Sequence, residues 1–97
     1  MSSIKRLKKE IDLIMTQVLS DCFYMVEYNP KVDAKAVMEI AGEMIEQHRD
    51  FRIRANHPDG KDNPKLVKKY FNELAADVID TVNQALEKLS AEVKKTT

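Results

Sequence analysis

Apolar residues recur at helical spacing in three separate stretches of this chain, and proline marks both breaks between them. In the first stretch Ile4, Leu7, Ile11, Ile14, Met15, Val18, Leu19, Cys22, Phe23, Met25 and Val26 share one face at 100° per residue, which predicts an amphipathic helix over 3–27. Ser2 or Ser3 is positioned to cap it by accepting from the first free N–H groups. Tyr28-Asn29-Pro30 ends it, because the residue before a proline is pushed out of the α region. The second stretch carries Val37, Met38, Ile40, Ala41, Met44, Ile45, His48, Phe51 and Ala55 on one face, predicting a helix over 34–55 with Asp33 as N-cap. Pro58-Asp59-Gly60 then supplies a turn: proline presets φ, aspartate caps, and glycine accepts positive φ.

The third helix is predicted over 64–93, opening with Asn63 as N-cap and Pro64 at the first helical position, a favoured pairing. Its apolar residues run from Leu66, Val67, Tyr70 and Phe71 through Leu74, Ala75, Val78, Ile79 and Val82 to Ala85, Leu86, Leu89 and Val93. That stripe covers about half the circumference, which suits a helix touching two neighbours. Short connections make sequential helices antiparallel. The expected fold is therefore all-α, an antiparallel up-down-up three-helix bundle forming one domain over 1–97.

Composition agrees with this reading. Two glycines and three prolines in 97 residues are too few for the turns of a β-sandwich or barrel, and 43% hydrophobic residues suffice for one core. Cys22 is the sole cysteine, so no intrachain disulfide can form, which fits a reducing compartment. No run of about 18 apolar residues offers a membrane span. The expectation is a cytoplasmic protein with no membrane partner.

Polar residues on the apolar faces are the first candidates for chemistry. His48 sits within the second stripe, Arg52 leans onto it one turn later, and folding about the two turns brings Asp12 and Tyr70 to the same level. As a functional group these four would be an acid–base site; as a structural one they would be a polar network fixing helix register. Catalysis needs a concave pocket, which a bundle this small rarely has, so the structural role is expected and the chain is read as not an enzyme. Two histidines and one cysteine without ligand spacing argue against a metal. A carboxylate-bridged di-metal bundle would want Glu-x-x-His, but Ile45 stands three residues before His48. No glycine-rich phosphate loop is present, and no cofactor is expected. Cys22, at the centre of the first stripe, reads as a buried small hydrophobe.

The formal net charge of zero hides a segregation. In the expected bundle, residues 1–12 and 49–69 form one end, with eleven bases and five acids, net +6; the remainder carries −6. Lys5, Arg6, Lys8 and Lys9 crowd the positive pole of a helix dipole, where cations are unfavourable. Three outcomes compete: an indifferent solvated surface, docking of the basic end on an acidic face of a partner protein or a second copy, and binding of nucleic acid or another polyanion. The last would use Lys5, Arg6, Lys8, Lys9, Arg49, Arg52, Arg54, Lys65, Lys68 and Lys69. It is the less favoured of the two binding modes, because no aromatic residues interleave the bases and the sequence pI is about 6.7. On the far side of the first helix Leu13 and Tyr24, with Gln17 and Ser20, form a line of outward residues that suggests a partner surface. The leading expectation is a non-enzymatic protein acting through protein–protein contacts, with itself or with an unidentified partner.

Two resemblances bear on this. His57-Pro58-Asp59 lies between two expected helices and resembles the J-domain of Hsp70 co-chaperones, which carries His-Pro-Asp in such a loop. The resemblance implies that these three residues would stimulate the chaperone's ATPase, with Arg49, Arg52 and Arg54 as the basic face before the loop. The chain departs from that family in a second helix about two turns longer, in Glu39, Glu43 and Glu46, which make it acidic, and in a third helix roughly twice the usual length. The opening Ile4-Lys5-Arg6-Leu7-Lys8-Lys9-Glu10-Ile11, followed by an all-helical chain, is similar to a group of uncharacterised short bacterial proteins, which implies a helical fold and no particular activity.

Overall fold

The computed structural model describes residues 2–57 and 63–96, with side chains from Lys5 onward. Three helices, α1 (Ser2–Tyr28), α2 (Ala34–Asn56) and α3 (Pro64–Lys94), account for nearly all of it, and there is no strand among the described residues. Each helix contacts both others, and together they make a rod of 52 × 17 × 16 Å.

The ends of the helices follow from local chemistry. Asp33, in extended conformation, accepts from the Ala36 N–H at 3.2 Å, and Asn63 accepts from Lys65 and Leu66 at 3.0 and 3.4 Å, with Pro64 opening α3. α1 begins at Ser2, and the side chains of Ser2 and Ser3, the expected caps, lie outside those described. At its other end the Asn29 N–H still reaches the Met25 carbonyl at 3.0 Å, while the Asn29 side chain accepts from the Lys31 N–H at 3.1 Å and turns the chain.

One core runs through all three helices. Ile11, Met15, Val18 and Cys22 on α1 meet Val37, Ile40, Ala41, Met44, Phe51 and Ala55 on α2, and Leu74, Val78, Val82, Ala85 and Leu89 on α3 close it. Each large side chain so buried contributes about 1.5–3 kcal/mol relative to exposure. Val32, in the first turn, is also buried, a core position that helical periodicity does not reveal. No polar or charged residue with a described side chain is buried.

The stripes are narrower than their sequence suggests. Phe23, Met38, Ile45, Leu66, Ile79 and Leu86 were expected in the core and are all exposed. They lie at the edges of their stripes, where cover depends on how closely the neighbouring helix approaches. That approach is uneven: α1 and α2 share the most extensive contact and α1 and α3 the least.

Two ion pairs join α2 to α3. Lys88 Nζ is 3.0 Å from Glu43, and Arg54 is 2.8 Å from Asp77, so eleven residues forward on α2 correspond to eleven backward on α3. Between α1 and α3 the order is the same on both: Ile11 and Ile14 share a hollow with Val78 and Ile79, and Met25 and Tyr28 share one with Leu86 and Leu89.

Candidate functional site

The expected polar cluster forms in part. Nε2 of His48 lies 2.7 Å from Oδ1 of Asp12, and Arg52 approaches the other carboxylate oxygen at 3.4 Å. Tyr70 does not join them. Its hydroxyl donates to the Arg54 carbonyl at 2.9 Å, in the last turn of α2, a carbonyl that also accepts from the His57 N–H at 3.3 Å. The sequence register, good to about one turn, brought Tyr70 to the right helix but to the wrong group. Asp12, His48 and Arg52 ride on the surface of the α1–α2 contact, none of them buried. They line none of the hollows along α3 or between α1 and α3.

The ten bases do not make one surface. Arg6 pairs with Glu10 at 3.1 Å, Arg52 with Asp12, and Arg54 with Asp77. Burial works against the Arg54 charge, but its bonds to Asp77 and Tyr70 more than offset this and its pKa is pushed up. Lys5, Lys9 and Arg49 are exposed on α1 and α2, whereas Lys65, Lys68 and Lys69 border a shallow hollow made by α3 alone. Cys22 is fully buried, and burial, followed by the nearby charge of Asp21, pushes its thiol above the ordinary value. Among the described residues no three His, Cys, Asp or Glu side chains are grouped to hold a metal ion, and no helix is long and apolar enough to cross a membrane.

The largest departure from a closed bundle is the seam between α1 and α3. Leu13 is 73% exposed, Tyr24 66%, Tyr28 64%, Ile79 56% and Leu86 42%. Hollows follow one another along this seam. In one, Leu7, Glu10 and Ile14 face Ala75 and Ile79; beside it, a hollow on α1 alone is bounded by Glu10, Leu13, Ile14 and Gln17; in the last, Tyr24 and Tyr28 face Leu86 and Leu89. The Tyr24 and Tyr28 rings stack with centroids 4.5 Å apart. Leu13, Gln17 and Tyr24 of the expected outward line thus belong to a wider surface, with Ser20 exposed beside it. The part on α3, Ile79 and Leu86, was assigned to the core from the sequence. Its signal was there in the excess width of the α3 stripe.

His57 is exposed just beyond α2, but Pro58 and Asp59 lie outside the described residues, so the His-Pro-Asp loop has no geometry to weigh. No protein-family model, curated protein or solved structure matches this chain.

Proposed function

We propose that this chain is an up-down-up antiparallel three-helix bundle that works in the cytoplasm by protein–protein contact rather than by catalysis, with the α1–α3 seam as its contact face. The opposed stepping of Glu43–Lys88 and Arg54–Asp77 supports the sense of α2 against α3, and the shared order of the two seam hollows supports parallel α1 and α3. The observation that carries the functional reading is the open seam. Five large apolar side chains expose on the order of 600 Å², at the upper end of the largest patch a solitary soluble protein shows. Polyanion binding has less behind it, because Arg52 and Arg54 are engaged in ion pairs between helices and the lysines of α3 stand on α3 alone.

Replacing Leu13 and Ile79 together by lysine tests the reading. Both are more than half exposed, so helix content by circular dichroism should be unchanged. In affinity capture from the native host, or in self-association, the wild type should retain a partner that the variant loses. Equal retention by both would show that the seam is not the contact face.

A further inference from the structure

We propose that the seam is closed by a second copy of the same chain, laid alongside the first in the opposite sense about a two-fold axis passing close to Leu13. This rests on the seam being a contact face and adds the identity of its occupant.

Two lines of residues run along this surface, one on α1 and one on α3. At 100° per residue, Arg6, Leu13, Gln17 and Tyr24 fall within about 40° of one another on α1, and Lys68, Ala75, Ile79 and Leu86 do the same on α3. Each line opens with a base; on α1 Glu10 borders the line beside Arg6, paired with it at 3.1 Å, and the line's own members from Leu13 to Tyr24 are uncharged. Asp21 borders the α1 line near its far end, lining a hollow with Tyr24 and Tyr28. The order along the seam is therefore bases with Glu10 beside Arg6, apolar middle, then acid with tyrosines. Arg6 and Asp21 stand seven and eight residues either side of Leu13, so a two-fold axis there exchanges them. Arg6 of each copy meets Asp21 of the other, Lys68 reaches the faces of Tyr24 and Tyr28, and the apolar middles pack on themselves. Copies laid in the same sense would set base on base.

The charge along the rod points the same way. Among the described residues, 5–12, 49–57 and 63–77 carry ten bases and five acids, net +5, and the rest carry five bases and nine acids, net −4, so opposed copies place each basic end beside the other's acidic part on both sides of the axis. No foreign partner is required to supply that complementarity. The area also fits: the seam's apolar surface, on the order of 600 Å², with its charged rims comes near the roughly 800 Å² per partner of an ordinary stable interface.

Light scattering and sedimentation equilibrium test this on the full chain. The expected mass at low salt is twice the 11.2 kDa protomer. Raising salt from about 0.05 M to about 1 M should weaken the dimer about tenfold or more. Arg6→Glu and Asp21→Arg should each weaken it at least about tenfold, and the double variant should return to within about threefold of wild type, because the pair re-forms between copies with reversed polarity. Independently, Leu13→Cys, close to the axis, should oxidise to a disulfide-linked dimer, while Cys22 is buried and takes no part. A monomer at all concentrations, single reversals that dimerise as well as wild type, failure of the double variant to recover, or a dimer that Leu13→Cys does not cross-link would each overturn the proposal. If the chain is monomeric yet still captures a host partner through the seam, the contact face stands and the two-fold dimer falls. If it is monomeric with no such partner, both fall.

Discussion

Cys22 has no exposed surface, and its raised thiol pKa makes it a poor nucleophile. In the unfolded chain the thiol ionises near about 8.5, whereas in the folded chain it keeps its proton to higher pH. Above that value the unfolded state binds fewer protons than the native one, so stability should fall as pH climbs from the ordinary thiol range through the raised one. A thiol reagent at pH 8 should react at least about a hundredfold more slowly with native protein than with denatured protein. Fast native labelling would mean that the core opens around α1. Asp12 and His48 make the opposite case, polar groups in contact at the surface. Replacing both, Asp12→Ala with His48→Leu, should change unfolding free energy by less than about 1 kcal/mol in a urea titration. A loss above about 3 kcal/mol would show that the pair does more than set register. Tyr70 shows where reading by residue type stops: a phenol facing α2 met the Arg54 carbonyl at the end of that helix rather than the cluster around Asp12.

At the scale of the element, the sequence was most legible where the chemistry is local. Asp33, Asn63 and Pro64 set the starts of α2 and α3 at the residues where periodicity placed them, because a cap acts within three residues of itself. Asp33→Ala should cost about 1 kcal/mol of stability, while Gly42→Ala should add up to about 1 kcal/mol. Gly42 sits inside α2, and a Cβ there would meet nothing within 4 Å. Denaturant midpoints moving in opposite directions would confirm both, and a destabilising Gly42→Ala would reveal an unseen contact. The stripe edges were less legible. Ile79 is as apolar as Val78, its neighbour in sequence, yet one is half in water and the other in the core. Spacing fixes the centre of a buried face; how far it extends depends on the approach of another helix, which no pattern within α3 encodes.

The molecule as a whole is a rod with unlike charges gathered toward its two ends, and α1 carries that arrangement against its own dipole, with no acid in its first turn and no base in its last. The sequence overstated the separation of charge, because Asp77 sits against Arg54 and Glu73 beside the lysines of α3. The open seam was not legible, since it arises from unequal packing among three elements that look alike on paper. Pairings between α2 and α3 could not be read either, because register finer than one turn comes from packing. Those pairings have a consequence for how the chain avoids misfolding. Glu43 and Arg54 carry opposite signs on α2, and Asp77 and Lys88 carry opposite signs on α3. Were α3 to lie the other way round, carboxylate would confront carboxylate and cation would confront cation at both stations; sliding it by three turns would set one such clash. Two ordinary surface contacts, each of little value alone, thus penalise the decoy topologies open to a chain of three greasy helices.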